Sequence, residues 1–108
     1  MKDFAEFASE KDRRLIGTKE RVSDLFDVPI IVRAYRIIAS RAVKGKDCAQ
    51  IQYNKVDDPV LHVTFTNSEV IIRQLKEYEK EMPFTAKIIK DGAAYTFISA
   101  RDNVQEES

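Results

Sequence analysis

Hydrophobic and polar residues alternate with a period of two along most of this chain, a pattern typical of half-buried β-strands. Polar turns that contain glycine, proline or aspartate separate the alternating stretches. The last two stretches flank the pair Asp91-Gly92, a combination typical of a tight β-hairpin. Five strands are therefore predicted: Ile30–Arg41, Cys48–Lys55, Val60–Thr66, Phe84–Lys90 and Ala93–Ala100.

The hydrophobic period changes to that of an α-helix between the third and fourth strands. Apolar side chains recur at helical spacing within the segment "NSEVIIRQLKEYEKEM". Pro83 follows it and cannot continue a helix. We predict one helix over residues 67–82, with an apolar stripe formed by Ile71, Leu75, Tyr78 and Met82.

The two ends of the chain are polar, and they suggest three regions within a single domain-sized chain of 108 residues. Residues 1–18 form an N-terminal arm, either a short amphipathic helix carrying Phe4 and Phe7 or a disordered segment. Residues 19–100 form the folded domain, with a possible short strand over Lys19–Val22 at its start. Residues 101–108 are polar and acidic, and we expect them to be disordered.

The alternation also assigns a face to each side chain of the second and third strands. Because apolar residues should face the core, the polar residues between them should face outward. The predicted inward set is Ala49, Ile51, Tyr53, Leu61, Val63 and Phe65. The predicted outward set is Gln50, Gln52, Asn54, His62, Thr64 and Thr66.

The first strand, "IIVRAYRIIASR", begins with a strict alternation that then breaks. Ile30, Val32 and Ala34 are expected inward, which places Arg33 and Tyr35 outward. Continuing the alternation would bury Arg36. A β-bulge near Tyr35 to Ile37 would advance the phase by one residue and keep this cation out of the core.

The order of three strands, a helix and two strands defines a mainly β protein with one helix. The order, with a long and bent first strand, resembles the OB fold, a five-stranded Greek-key barrel with its helix between strands three and four. The same order also permits an α+β sandwich, in which the helix lies on an open antiparallel sheet.

Three strings resemble a family of small OB-fold proteins from phages and mobile elements of Gram-positive bacteria: "SDLFDVPIIVRAYRI", "VTFTNSEVIIRQL" and "MPFTAKIIKDGAAYTF". The resemblance implies a single-stranded-DNA-binding or accessory role in DNA replication or recombination. It is a resemblance of pattern, since none of the strings is a chemical motif.

Charge is distributed unevenly, although 18 Lys and Arg balance 18 Asp and Glu. Residues 28–55 carry six cations and one acid, Asp47, for a net charge of +5. The tail, residues 101–108, has a net charge of −2. A basic first half is what a protein that follows a phosphate backbone needs.

The residue types that catalysis and metal binding require are scarce. The chain has one histidine, His62, and one cysteine, Cys48, so it can form neither a His-His metal pair nor an internal disulfide. Its three glycines are isolated, which excludes a glycine-rich phosphate loop. We therefore expect no enzyme activity and no cofactor. With no targeting segment and no stretch long enough to span a membrane, a cytoplasmic location is expected.

The leading hypothesis is a sequence-tolerant protein that binds single-stranded nucleic acid, DNA in the first place and RNA as the open alternative. Cations would meet phosphates, whereas Tyr35 and His62 would stack on bases. Each of these residues, taken singly, is also an ordinary choice for an outward strand position. The predicted binding residues are Arg33, Tyr35, Arg36, Arg41, Lys44, Lys46, Gln50, Gln52, His62 and Thr64.

The alternative hypothesis is a protein-interaction module of a replication, recombination or accessory complex that does not contact nucleic acid. Zero net charge favours this alternative. The arm with Phe4 and Phe7 would then serve as a docking or dimerising segment, so homo-oligomers are compatible with both hypotheses.

Overall fold

The structure is a computed structural model that describes residues 15–40 and 44–101. Within these residues the protein is mainly β, with one α-helix and two short 3-10 turns, Val22–Leu25 and Glu79–Glu81. The regular elements are β1 (Thr18–Lys19), β2 (Ile30–Ala39), β3 (Asp47–Lys55), β4 (His62–Thr66), α1 (Glu69–Glu77), β5 (Phe84–Asp91) and β6 (Ala94–Ile98).

The six strands form one open, mixed sheet in the order β1-β4-β3-β2-β5-β6. All neighbours are antiparallel except β1, which pairs in parallel with β4 at the edge of the sheet. The sheet has six strands rather than the predicted five because the two-residue strand β1 is added. The helix α1 connects β4 to β5.

The core lies between the sheet, α1 and the first 3-10 turn. Leu25 from the turn, Ile71 and Leu75 from α1, and Ile88 from β5 are fully buried there. Ser68 caps α1, because its hydroxyl accepts a hydrogen bond from the Ile71 amide. The core cluster consists of Leu25, Ile30, Val32, Ala49, Ile51, Tyr53, Ile71, Ile72, Leu75 and Ile88.

The helix is shorter than predicted. It ends at Glu77, and a 3-10 turn covers Glu79–Glu81. Tyr78 therefore lies beyond the helical stripe on which we expected it, and 48% of its surface is exposed. Met82, at the end of the turn, does pack against the core.

We call the side of β2–β4 that carries Val32, Ile51 and Tyr53 the core face. The opposite side, the outer face, carries Lys19, Ile31, Ala34, Arg36, Ile38, Cys48, Gln50, Gln52, Asn54, Val63 and Phe65. The predicted faces of β3 are confirmed, since Ala49, Ile51 and Tyr53 are fully buried in the core.

The bulge in β2 exists, but it lies two residues earlier than predicted. Val32 pairs with Tyr53 and Ala34 with Gln52, so Arg33 is the additional residue. The phase therefore changes before Tyr35. Arg36 stays out of the core, as expected, but the predicted faces of Ala34 and Tyr35 were wrong: Ala34 lies on the outer face and Tyr35 packs against the core.

The faces of β4 are the reverse of those predicted. Thr64 pairs with Ile51, and the neighbouring pairs place His62 and Thr66 on the core face as well. Val63 and Phe65 lie on the outer face instead. Each of the two sets of alternating residues in "HVTFT" contains bulky side chains. The register with β3, rather than hydrophobicity, determines which set faces the core.

Several predictions fall outside the described residues: the N-terminal helix or disordered arm with Phe4 and Phe7, the side chain of Arg41, and the acidic tail beyond Arg101. No helix in the described part of the chain is long and apolar enough to cross a membrane.

Candidate functional site

Two arginines from β2 reach the outer face, and neutral amides hold both of them. The Arg33 Nε donates to Asn54 Oδ1, and the Arg36 Nε donates to Gln50 Oε1 at 2.5 Å. Among residues 15–40 and 44–101, no carboxylate forms an ion pair with either guanidinium group. These two cations are thus oriented by β3, and no described carboxylate neutralises their charge.

The amides that hold the arginines are themselves buried. Gln50 is 5% exposed and Asn54 is 4% exposed. The Asn54 amide nitrogen also donates to the carbonyls of Lys55 and Asp58, so its orientation is fixed. Gln50, which was a predicted contact residue, therefore positions Arg36 rather than offering its own side chain to a ligand.

Phe65 and Lys19 belong to the outer face, and the sequence did not identify either of them. Phe65 pairs with Gln50, which in turn pairs with Arg36, so the three side chains form one row across β4, β3 and β2. The Lys19 ammonium lies over the Phe65 ring, 5.2 Å from its centroid. Only the β4 register could have revealed the half-buried Phe65 as an outward aromatic.

Gln52 lies beside this row and remains on the outer face as predicted. It pairs with Ala34 on one side and Val63 on the other. Its side-chain nitrogen donates to the carbonyl of Ile16 at 3.0 Å, which ties the chain before β1 to the sheet.

The loop between β2 and β3 adds two exposed cations, Lys44 and Lys46. The Lys46 ammonium lies 3.2 Å from the Glu69 carboxylate at the start of α1. Both partners are mostly exposed, so this pair contributes little and leaves the lysine accessible. Lys46 and Phe65 line the same surface pocket, so the loop adjoins the end of the Phe65 row.

Tyr35 is not available as a stacking platform. Its ring packs against the core, and its hydroxyl donates to Glu79 Oε1 at 2.5 Å. Burial, and then the hydrogen bond and negative charge of Glu79, raise the pKa of Tyr35 to about 12. Tyr35 thus connects β2 to the second 3-10 turn.

His62 and Thr64 also leave the predicted site, because both lie on the core face. The His62 ring stacks on Tyr53 with 5.5 Å between centroids, and its side chain is 13% exposed. Thr64 is fully buried, and its hydroxyl has no hydrogen-bond partner among the described residues. Neither side chain can contact a ligand on the outer face.

The structure therefore splits the predicted site. The outer face and the adjoining loop bring together Arg33, Arg36, Lys44, Lys46, Gln50 and Gln52; Tyr35, His62 and Thr64 lie elsewhere, and Arg41 is outside the described residues.

Residues suited to metal binding or nucleophilic chemistry are not clustered at this site. No group of three or more His, Cys, Asp or Glu within the described ranges is placed to hold a metal ion. Cys48 lies on the outer face but is only 9% exposed, and burial raises the pKa of its thiol.

Comparison with known proteins gives a family but no named relative. No curated protein and no solved structure matches the chain. A family model described as "Domain of unknown function (DUF8468)" matches residues 16–98, which span every strand from β1 to β6. The protein belongs to this family, the domain of unknown function DUF8468.

Proposed function

We propose that this protein is a non-catalytic, sequence-tolerant protein that binds single-stranded nucleic acid, DNA in the first place, through the outer face. The observation that carries the proposal is the pair of β2 arginines, which are held by amides and have no carboxylate partner among the described residues. A cation that is oriented but not neutralised is suited to a phosphate oxygen.

The strand arrangement supports an OB-like assignment. A long, bulged strand, β2, pairs with both β3 and β5, and the helix follows the meander β2-β3-β4. With β1 set aside, β2–β6 correspond to the five strands of that barrel, left open between β4 and β6. The ligand surface of an OB fold is the face of its second and third strands with the adjacent loops, here β3, β4 and the β2–β3 loop.

The proposed contacts divide into three kinds. Arg33, Arg36, Lys19 and the two loop lysines would bind phosphates. The half-buried ring of Phe65 would stack on a base, a contact worth about 1–3 kcal/mol in other single-strand binders. Gln52 would donate to base or sugar oxygens. The revised contact set is Lys19, Arg33, Arg36, Lys44, Lys46, Gln52 and Phe65.

The setting we propose is DNA replication or recombination of a phage or mobile element, on the resemblance of the three sequence strings described above. This part of the proposal rests on that resemblance alone.

The test is the fluorescence anisotropy of a labelled oligo-dT of about 20 nucleotides at roughly 50 and 200 mM salt. Wild-type protein should bind, and its affinity should fall steeply with salt. In the double variant Arg33→Gln and Arg36→Gln, affinity should fall by about tenfold or more, and the salt slope should decrease by about 1.4, roughly 0.7 for each lost contact.

The matched control is Arg21→Gln with Lys90→Gln, which removes the same charge from exposed positions that are not in the contact set. This control should retain most of the affinity. No binding by wild-type protein at micromolar concentration and low salt would exclude the proposal. Stronger binding to oligo-U than to oligo-dT would change the substrate to RNA.

The second candidate function is a protein-interaction module. The observation that favours it is a set of exposed apolar side chains, Ile16, Val56 and Val60, which are 67%, 50% and 50% exposed. Recovery of a defined partner protein, together with no shift of oligo-dT, would select this function over nucleic-acid binding.

A further inference from the structure

Among the described residues, the second half of β2 has a neighbouring strand on only one side. Along its whole length β2 pairs with β3, but it pairs with β5 only at Ile30–Val32. From Arg33 to Ala39, no described strand lies on the β5 side. No backbone hydrogen bond recorded between described residues reaches that edge either. Seven residues, about 23 Å of strand, therefore present an edge that no described residue pairs with.

The chain on either side of Val32 explains why this edge is open. The bulge at Arg33 bends β2 just where its pairing with β5 ends. The strand β5 begins at Phe84. The residue before it, Pro83, has no amide hydrogen to donate, and the 3-10 turn Glu79–Glu81 precedes that proline. The strand β5 therefore cannot extend backwards along Arg33–Ala39.

A groove runs along this edge and has two chemically different sides. Consecutive residues of β2 line one wall, and Glu79 and Met82 line the other. On the core side the groove meets Tyr35 and Ile37, both of which pack against the core. On the outer side it meets the cation Arg36, with Arg33 at the bulge.

Charge differs between the two sides of the groove: Arg33 and Arg36 lie on the outer side, whereas Glu79 is held by the Tyr35 hydroxyl on the core side. Unpaired edges are often protected by cations, which repel a second copy of the same edge. Antiparallel pairing of two complete edges from Arg33 to Ala39 would centre on Arg36 and place it opposite its own copy, which is unfavourable. The same cations, with no carboxylate partner among the described residues, attract an acidic strand.

We propose that the edge Arg33–Ala39 accepts an extended, acidic peptide segment of a partner protein as an additional strand. Main-chain hydrogen bonds to β2 supply affinity, as in other strand additions. Because side chains alternate along a strand, acidic residues at every second position face Arg36. The residues between them are apolar and face Tyr35 and Ile37. Because Arg36 also belongs to the proposed nucleic-acid contacts, the peptide and a nucleic acid would compete for this cation.

The experiment measures the fluorescence anisotropy of a labelled peptide, Glu-Val-Glu-Val-Glu-Val-Glu, on the full chain. The peptide should bind, and the same peptide with Lys in place of Glu should not. Arg36→Glu should weaken binding by about tenfold or more, as expected when a charged contact becomes repulsive. The matched variant Arg73→Glu, which changes an exposed position on α1, should retain it.

Two N-methylated peptides test whether the backbone pairs. In a strand, alternate residues point their N–H groups to the same side. One peptide is N-methylated at all its valines and the other at all its glutamates. Only one of these two sets of N–H groups points at β2, so one methylated peptide should lose binding and the other should bind as the unmodified peptide does. If both methylated peptides bind equally well, the contact is electrostatic only and the proposal is wrong. This comparison gives the same answer whether or not oligo-dT binds.

Amide hydrogen exchange of the free protein tests whether this edge is already occupied by another part of the chain or by a second copy. The amides of Arg33–Ala39 that point away from β3 should exchange fast in free protein and slowly with the peptide bound. Slow exchange before any peptide is added would mean that another part of the chain or a second copy already fills the edge, which would overturn the proposal. Light scattering distinguishes these two occupants.

Discussion

Glu20 joins the most concentrated set of polar contacts at the edge of the core. The Tyr53 hydroxyl donates to Glu20 Oε1, and the Lys55 ammonium lies 3.3 Å from Oε2. His62 Nδ1 lies 3.6 Å from Oε1, beyond hydrogen-bond distance. This single carboxylate therefore connects the segment after β1 with β3 and β4.

Burial by itself would raise the pKa of Glu20, but the hydrogen bonds of Tyr53 and Lys55 and the nearby charges outweigh it. The pKa is lowered from the ordinary value of 4.5. A carboxyl whose folded pKa is lowered stabilises the fold fully above its unfolded pKa. That contribution is lost as the pH falls below 4.5 through the folded pKa.

We predict that Glu20→Gln removes this part of the acid sensitivity. At neutral pH the variant should be less stable by about 1–3 kcal/mol, because buried partners lose a charged acceptor. Urea unfolding at a series of pH values should show the difference from wild type shrinking as the pH falls below 4.5. Tyr53→Phe, which removes one hydrogen bond, should give a smaller change in the same direction. Parallel acid profiles for wild type and Glu20→Gln would contradict the assignment.

The face of a strand residue could be predicted from sequence where one face is clearly apolar and the other polar. It could not be predicted where both faces carry bulky or polar side chains. Ile30, Val32 and the apolar residues of β3 were assigned correctly because only one of the two faces they could occupy is apolar. In β4, His62 and Thr64 alternate with Val63 and Phe65, and the polar set enters the core because Glu20 and Tyr53 meet His62 there. The Glu20 contact comes from the segment after β1, which is distant in sequence, so no local pattern could reveal it.

Among the elements, β2 determines where the outward arginines and the unpaired strand edge lie. Its bulge sets both positions. The bulge allows Val32 and Tyr35 to face the same side although they are three residues apart. It also ends the pairing with β5, and so creates both the outward arginine and the open edge. The sequence predicted a change of phase in β2, because a regular strand would bury Arg36. A bulge at any of several neighbouring residues keeps Arg36 out of the core, so the position of the bulge was missed.

We predict that deletion of Arg33 is tolerated, because Ala34, Tyr35 and Arg36 would keep their faces in a regular strand. Deletion of Ile31 is the matched control. It removes one residue from the same strand but turns Ile30, which is fully buried, away from the core. Loss of a buried isoleucine contact costs about 2–5 kcal/mol.

The measurement is thermal unfolding, with NMR contacts between β2 and β3 as a check on register. The protein without Arg33 should fold and retain the pair Tyr35–Ile51. The protein without Ile31 should be unfolded or strongly destabilised. Equal loss of stability in both would show that the bulge is needed for curvature as well as phase.

At the scale of the whole molecule, the open sheet must protect the edges of β4 and β6, which would be exposed without β1 and α1. On one side β1 covers β4 with two main-chain hydrogen bonds, from the Thr18 amide to Leu61 at 3.0 Å and from the Glu20 amide to Val63 at 2.9 Å. On the other side α1 covers β6, where the Gln74 side chain accepts from the Phe97 amide and donates to its carbonyl. Both covers act through short segments, so each depends on a few residues.

The cover over β4 depends on Gly17, which lies against the backbone of His62. Its φ is +148°, and a Cβ at this position would lie 2.8 Å from the His62 carbonyl carbon. We predict that Gly17→Ala displaces β1, exposes the β4 edge and loosens the contacts of Glu20. Gly45→Ala is the matched control, because Gly45 also has positive φ, +81°, but has no atom within 4 Å of an added Cβ.

The two alanine variants distinguish the cost of backbone strain at a positive φ from the cost of a clash between the added Cβ and the backbone of β4. Gly45→Ala should cost only about 1 kcal/mol of strain, whereas Gly17→Ala should cost more, since a backbone clash cannot be relieved by a side-chain rotation. An exposed β4 edge should also pair between molecules, so Gly17→Ala should show a concentration-dependent increase in mass by light scattering, and Gly45→Ala should not. If both variants lose the same stability and stay monodisperse, β1 is not what protects this edge, and the protection must come from the side chains of β4 itself.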